Sequence, residues 1–144
     1  MEELKDYKHN IKIEVRFSDL DAMRHVNNAI YLTYLEEARI SYFNDLFSLK
    51  TENLDYEAVV ARIEIDYIRP IMLGDAVEVY TRISKLGIKS VDVEHIIAVR
   101  EGEKLIKAAA SFTKLVYFDY KNKTTKEIAE EVRKTIAEYE GLKI

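Results

Sequence analysis

The sequence contains no cysteine, and its 144 residues include only one proline and four glycines. Without cysteine the chain can form no disulfide, no thiolate zinc site and no cysteine nucleophile. The scarcity of glycine and proline predicts loops that are few and short, or that are built from Asn, Asp and Lys. A chain without cysteine fits a reducing compartment, so we expect a cytoplasmic location.

Long apolar runs and an excess of basic charge are also missing. No apolar segment approaches the roughly 20 residues that a membrane-spanning helix needs, and the polar residues 1–6 do not resemble a signal peptide. The net charge of −4, from 22 basic and 26 acidic side chains, argues against nucleic acid as the partner. The composition, 48% hydrophobic and 33% charged, fits one globular domain over residues 1–144.

The hydrophobic pattern predicts an α+β fold. Alternation from Ile11 to Phe17 predicts a half-buried strand, and helical spacing from Ala29 to Phe47 predicts a long buried helix capped by Asn27 or Asn28. Four further strands follow after residues 53–55, with turns predicted at 73–75, near Gly87 and at 101–103, and a second helix starts within 122–125.

This order predicts one antiparallel sheet of about five strands, wrapped around one long central helix, with a short C-terminal helix docked on its surface. The stripe of Ile128, Val132, Ile136 and Tyr139 would make that docking contact. A sheet of this size leaves a face or an edge uncovered, which predicts pairing with another subunit.

Polar side chains concentrate in the segment 17–31, between the first strand and the long helix. Two carboxylates, one imidazole and two amides precede the predicted helix start, where free N–H groups and the helix dipole favour negative charge. A carboxylate in that place can act as a base or a nucleophile, and nearby donors can hold a carbonyl oxygen as it becomes an oxyanion.

The pattern Asp-x-Asp-x-x-x-His-Val-Asn-Asn-x-x-Tyr of residues 19–31, followed by Tyr-Leu-Glu-Glu-Ala-Arg at 34–39, resembles the 4-hydroxybenzoyl-CoA thioesterase family of hotdog proteins. It is also similar to the related acyl-carrier-protein thioesterases. The segments Tyr-Ile-Arg-Pro at 67–70 and Gly-Asp at 74–75 add to the likeness. The resemblance implies a hotdog fold, hydrolysis of an acyl-CoA or acyl-carrier-protein thioester without metal or cofactor, and a homodimer or homotetramer with its site at a subunit interface.

Residue by residue, the resemblance implies that Asp21 is the catalytic carboxylate, which attacks the thioester carbonyl or activates water for that attack. The main-chain N–H of Asn28 would polarise the carbonyl, and His25 would assist catalysis. Asn27 and Tyr31, which flank the proposed oxyanion donor, are expected to bind substrate.

Some positions depart from the family or are expected to play other parts. Arg24 stands where many members have glycine, and Met23 stands where carrier-protein enzymes often have asparagine. Asp19 is expected to brace the loop, while Glu36 and Arg39 are expected to be architectural. By charge alone, the candidates for contacting the CoA phosphates are Arg62, Arg69 and Lys89.

Two other functions stay open at this point. An acyl-thioester hydratase or dehydratase also uses an aspartate and a histidine close in sequence, as Asp21 and His25 are. A non-catalytic thioester-binding module would need the acidic cluster only to cap the helix. Release of free thiol from saturated acyl-CoA distinguishes a hydrolase from both.

Overall fold

The computed structural model describes residues 1–48 and 57–143. The elements follow in the order β1 (His9–Ile13), α1 (Asn28–Phe47), β2 (Ala58–Tyr67), β3 (Ala76–Leu86), β4 (Ser90–Glu101), β5 (Lys104–Asp119), β6 (Thr124–Thr125) and α2 (Glu130–Glu140). The predicted long helix and the four strands that follow it are therefore confirmed. Asn53-Leu54-Asp55, after which the strands were predicted to begin, lies outside the described residues.

The strands form one antiparallel sheet in the order β1-β3-β4-β5-β2, and the two-residue β6 pairs with β5. Strand β2 is therefore an edge strand, although it precedes β3 in the chain. The connection from β2 to β3 spans the width of the sheet, which brings residues 68–75 close to the loop that follows β1. The predicted architecture, about five strands around one long helix, is confirmed.

Helix α1 packs on one face of the sheet. Its apolar residues recur at helical spacing, so they form a stripe that faces the strands. Leu35 and Ala38 are fully buried against inward-facing side chains of the central strands, such as Val79 and Ile97. The opposite side of the helix is exposed, so α1 is half-buried in the single chain rather than enclosed on several sides.

Helix α2 docks beside the C-terminal half of α1 and on β3. Ile128 and Ile136 are buried, with Val132 and Tyr139 packed beside them, so the predicted docking stripe is confirmed. The helix ends at Gly141, which adopts the left-handed conformation with φ of 70° that glycine favours at helix ends. No helix within residues 1–48 and 57–143 is long and apolar enough to cross a membrane.

The first strand was predicted too far along the chain. Strand β1 ends at Ile13, whose partner Val77 lies at the start of β3, so the ladder has no further partner to offer. Val15 is still buried, but Phe17 lies in a short 3-10 turn and is 81% exposed. The alternating pattern therefore continues for four residues beyond the end of β1.

The start of the second helix was also wrong. Thr124 and Thr125 pair back onto Phe118 and Asp119 as a short hairpin, and Lys123 at its turn has φ of 53°. The main-chain N–H of Lys126 then donates to Tyr117 O at 3.0 Å. Because these backbone groups are used by the sheet, helical structure begins only at Glu130.

Candidate active site

The loop between β1 and α1 is a small hairpin. Leu20 pairs with Val26, and the main-chain N–H of Asp21 donates to His25 O at 2.8 Å. The hairpin is joined sideways to the segment before β3, because His25 pairs with Met72 and Val26 N–H donates to Ile71 O at 2.8 Å. The loop is therefore held by backbone hydrogen bonds on both sides.

The hairpin tip contains the position at which many family members have glycine. Arg24 adopts a left-handed conformation with φ of 64°, and its N–H donates to Asp21 O at 2.9 Å. Glycine takes this conformation without strain, whereas a residue with a Cβ does not. Arg24 thus keeps the turn conformation that suits glycine.

The carboxylate of Asp21 is fixed by the loop and still has one oxygen available. Its Oδ1 accepts hydrogen bonds from the main-chain N–H groups of Met23 at 2.9 Å and of His25 at 3.3 Å. Within the described chain, no hydrogen bond engages Oδ2. Because the side chain is only partly buried, this oxygen is available to a water molecule or a substrate.

Asp19, two residues earlier, has the opposite environment. Its side chain is 1% exposed and accepts hydrogen bonds from Tyr34 OH at 2.7 Å and from the N–H of Arg16 at 3.0 Å. Burial by itself would raise the pKa of Asp19, but these hydrogen bonds outweigh it and hold the pKa below its ordinary value. Asp19 therefore braces the loop, in line with the expectation from the sequence.

The start of α1 presents a free donor. Asn27 is the N-cap, and its Oδ1 accepts from the N–H of Ala29 at 2.9 Å. Asn27 O accepts from the N–H of Ile30 at 2.8 Å, and Asn27 N–H donates to Asp19 O at 2.9 Å. Within the described residues, no hydrogen bond uses the main-chain N–H of Asn28. This donor is one of those that every helix start leaves unsatisfied.

Most of these residues line one cavity of about 340 Å³. Asp21, His25, Asn28 and Tyr31 all belong to its lining, although they come from the loop and from the helix. Asn27, whose side chain caps α1, is not among its described lining residues. The other wall comes from the end of β2 and the segment after it, namely Tyr67, Ile68, Arg69 and Pro70.

The wall formed by residues 67–70 was not predicted as part of the site. The rings of Tyr31 and Tyr67 meet edge to face with centroids 5.0 Å apart. Tyr31 OH donates to Arg69 O at 3.1 Å, and Tyr67 OH donates to Asn28 O at 2.9 Å. The Tyr-Ile-Arg-Pro motif was visible in the sequence, but nothing local in the sequence indicates that it meets the helix start.

The three basic residues considered for CoA contacts occupy different places. Arg69 lines the cavity and forms an ion pair with Glu101 at 3.0 Å, while Arg62 is paired with Glu64 on β2. Strand β5 gives their positions along the sheet. Tyr67, at the cavity, pairs with Ala109 of β5, whereas Ser90, next to Lys89, pairs with Val116, seven residues farther along β5. Lys89 is thus at the opposite end of the sheet, and Arg69 is the basic candidate beside the cavity.

Another cavity, of about 330 Å³, lies on the outer face of the sheet beneath the N-terminal segment. Its charged lining is largely paired internally: Arg82 binds Glu94 at 2.6 Å, and Lys107 binds Glu3 at 3.1 Å. None of the predicted site residues belongs to its described lining. Within residues 1–48 and 57–143, no group of three or more His, Cys, Asp or Glu side chains could hold a metal ion.

Comparison with known proteins is consistent with this geometry. Residues 15–136 match the model of the thioesterase-like superfamily. The long-chain acyl-CoA thioesterase FadM of Escherichia coli is 33% identical over 128 residues, which cover 87% of this chain and 94% of FadM. Bacillus subtilis YsmA is 37% identical over 92 residues, which cover 64% of this chain and 62% of YsmA, so that match spans less than two thirds of YsmA.

A solved structure shows the same fold. The thioesterase of Thermus thermophilus, determined in complex with coenzyme A and Zn, superposes with a TM-score of 0.83. It is 36% identical, and the match covers 96% of this chain and 99% of the Thermus chain. Fold, loop and helix start agree with the pattern read from residues 19–31, and the chain belongs to the thioesterase-like superfamily of hotdog-fold proteins.

Proposed function

We propose that this chain hydrolyses an acyl thioester, with acyl-CoA as the expected substrate, to a free acid and a thiol. One observation carries the proposal: Asp21, with one unoccupied carboxylate oxygen, and Asn28, with a free main-chain N–H at a helix start, line the same cavity. A carboxylate and an oxyanion donor are the two groups that this reaction requires.

In the proposed reaction the thioester carbonyl oxygen accepts a hydrogen bond from Asn28 N–H. Asp21 Oδ2 takes a proton from a water molecule as that water adds to the carbonyl carbon. The tetrahedral intermediate then collapses, the C–S bond breaks, and the departing sulfur receives the proton. Direct attack by Asp21 on the carbonyl carbon would instead break the C–S bond, release the thiolate, which takes a proton from solvent, and leave an acyl-enzyme anhydride; water then hydrolyses the anhydride to the free acid and restores Asp21.

We propose that the three other predicted site residues assist the reaction or bind the substrate. His25 is proposed to assist catalysis, because it lines the same cavity as Asp21. Tyr31 is proposed to bind substrate through its ring, since its hydroxyl is already bonded to Arg69 O. Asn27 is proposed to act through the helix start that it caps.

The thiol carrier is proposed to be coenzyme A rather than a carrier protein. FadM is named a long-chain acyl-CoA thioesterase, and the Thermus thioesterase was determined with coenzyme A bound. Arg69 at the cavity is the proposed phosphate contact. A cytoplasmic location and a reaction without metal or cofactor stay predictions.

We also propose a homo-oligomer, a dimer or a tetramer, with the site near a subunit interface. Edge strand β2 pairs only with β5 within the described chain, so its other edge offers unpaired main-chain groups. Val60, Tyr67 and Ile68 are exposed along and beside this edge, and Tyr67 and Ile68 also line the cavity. Light scattering coupled to size-exclusion chromatography would give the mass directly, and a monomer at all concentrations would refute this part.

The test of the reaction is thiol release across a panel of acyl-CoA substrates of different chain length, with an enoyl-CoA included. Wild-type protein is expected to release free thiol, and a folded Asp21→Asn variant is expected to release almost none. Loss of the conjugated double bond without thiol release would instead identify a hydratase. Binding of acyl-CoA without either reaction would identify a binding module.

A further inference from the structure

One peptide group at the start of α1 is held at both of its polar atoms by side chains. In the group that joins Asn28 to Ala29, the N–H donates to Asn27 Oδ1 at 2.9 Å, and the C=O accepts from Tyr67 OH, also at 2.9 Å. The first contact is an ordinary helix cap. The second comes from the end of β2, so it ties the helix to the sheet.

The neighbouring peptide group, between Asn27 and Asn28, contains the proposed oxyanion donor. Its C=O accepts from the N–H of Ile30 at 2.8 Å, whereas its N–H, that of Asn28, is free among the described residues. The orientation of this N–H depends on the backbone dihedrals of Asn27 and Asn28. Fixing the next peptide group therefore restricts the direction in which the donor points.

The position of Tyr67 is itself well determined. Its backbone pairs with Ala109 in the β2–β5 ladder, and its ring packs edge to face on Tyr31. Burial raises the pKa of Tyr31, so its hydroxyl stays protonated and donates to Arg69 O at 3.1 Å. The Tyr67 hydroxyl is thus held in place by strand β2, and its position does not depend on the order of the helix end.

We propose that Tyr67 is a positioning residue for the oxyanion donor. Through Asn28 O it ties the first helical peptide to β2, and it thereby holds the free N–H of Asn28 at a constant angle to Asp21. Helix ends are the softest part of a helix, while a catalytic donor must be held to within about 0.5 Å and 10–20° of its productive position. The inference rests on the proposed hydrolase function, and it gives a role to the Tyr-Ile-Arg-Pro motif.

The kinetic test is Tyr67→Phe, which keeps the ring and removes only the hydroxyl. Because removal of a whole oxyanion donor costs about 10²–10³ in kcat, its loosening is expected to lower kcat by a smaller factor, roughly 5- to 20-fold, with KM within twofold of wild type. Tyr80→Phe is the matched control, since Tyr80 OH also makes one 2.9 Å hydrogen bond, to Glu78, on the far face of the sheet. It is expected to leave both constants unchanged.

A second variant tests whether the two side chains act on one peptide. Asn27→Ala removes the hydrogen bond to the N–H of the same group and is expected to lower kcat by a similar factor. In the double variant the losses should fall short of the product of the two single losses, since contacts to one group are coupled. An unchanged kcat in Tyr67→Phe, or a loss confined to KM, would overturn the positioning role while leaving the hydrolase function intact.

A measurement without substrate separates the two proposals. Amide hydrogen exchange at Ala29 and Ile30, whose N–H groups are hydrogen-bonded to Asn27, is expected to become several-fold faster in Tyr67→Phe and to stay at the wild-type rate in Tyr80→Phe. If the wild-type protein cleaves no thioester, the hydrolase function fails, and exchange alone decides whether Tyr67 restrains the helix start. Equal exchange in Tyr67→Phe and wild type would overturn the restraint whatever the activity.

Discussion

Asp19 and Asp21 are the same residue type in the same loop, yet their surroundings differ in almost every respect. Asp19 is buried, and both of its carboxylate oxygens receive hydrogen bonds, with Arg16 and Tyr34 as donors. Asp21 receives its two hydrogen bonds on one oxygen, no hydrogen bond among the described residues engages the other, and the residue lines a cavity. The two aspartates therefore differ in whether a carboxylate oxygen is left free for another molecule, and this difference is the reason for proposing Asp21 rather than Asp19 as the catalytic residue.

The cause is the path of the backbone. Asp19 is the last residue of a 3-10 turn. Its side chain reaches α1, where the hydroxyl of Tyr34 donates a hydrogen bond to it. Asp21 begins the hairpin, and the tight turn at Met23 and Arg24 folds the main-chain N–H groups of Met23 and His25 back onto it. One aspartate therefore stabilises the loop, and the other is presented by it.

The largest expected effect separates the two aspartates in catalysis. Asp21→Asn is expected to lower kcat by at least about 10²-fold, because loss of a general base typically costs 10²–10⁴ in rate. Asp19→Asn is expected to keep a kcat within several-fold of wild type, measured on the folded fraction. Similar losses in both variants would show that the division between bracing and catalysis is wrong.

For stability we expect the opposite ranking of the two variants: Asp19→Asn should have the larger effect on the free energy of unfolding. Asp19→Asn removes the charge that strengthens the hydrogen bonds from Tyr34 and Arg16, and it replaces one accepting oxygen by an amide nitrogen, which costs about 1–3 kcal/mol of unfolding free energy. Asp21→Asn keeps an oxygen for Met23 and His25 and is expected to change stability by less than about 0.5 kcal/mol. Urea denaturation followed by circular dichroism would measure both, and equal stabilities would contradict the comparison.

A smaller effect appears in the pH dependence of stability. The pKa of Asp19 in the folded chain is below its ordinary value of about 3.9, so the folded state binds its proton less readily than the unfolded state. Its contribution is complete above that value and is lost as pH falls through the folded pKa. Asp19→Asn should therefore lose less stability than wild type between neutral pH and strong acid, and a parallel decline would contradict this assignment.

The smallest effect concerns the tip of the hairpin that holds Asp21. Arg24→Gly relieves a left-handed conformation that costs a side chain about 1–2 kcal/mol, but it also gives the unfolded chain more freedom. A net gain of up to about 1 kcal/mol is expected, with little change in kcat. Arg24→Ala, which keeps the Cβ, is the control, and equal stability of the glycine and alanine variants would show that φ at this position is unimportant.

Much of the fold was predictable because local patterns and tertiary packing agree. The spacing of apolar residues defined α1 to within one residue of its start, and Asn27 caps it as expected. Alternating residues defined β2 to β5, and Gly74, with φ of 91°, forms the predicted turn. These elements form because the side chains that favour them locally are also the ones that the core buries.

The errors occurred where pairing with another strand decided the outcome. Phe17 continues an alternating pattern, but the ladder ends with the pair of Ile13 and Val77, so Phe17 is left exposed. Thr124 and Thr125 were predicted to start a helix, but pairing with β5 uses their backbone first. The extent of a strand or a helix depends on which backbone groups pair with it, and the pattern of apolar residues does not show where that pairing begins or ends.

The candidate site likewise has one wall that could be predicted from the sequence and one that could not. The sequence by itself determined one wall, because Asp21, His25 and Asn28 lie within eight residues and a hairpin followed by a helix cap is enough to assemble them. Only the tertiary structure decided the other wall. Tyr67 reaches Asn28 across 39 positions, because the strand order places the end of β2 beside the helix start, and that contact depends on how the whole sheet packs under α1.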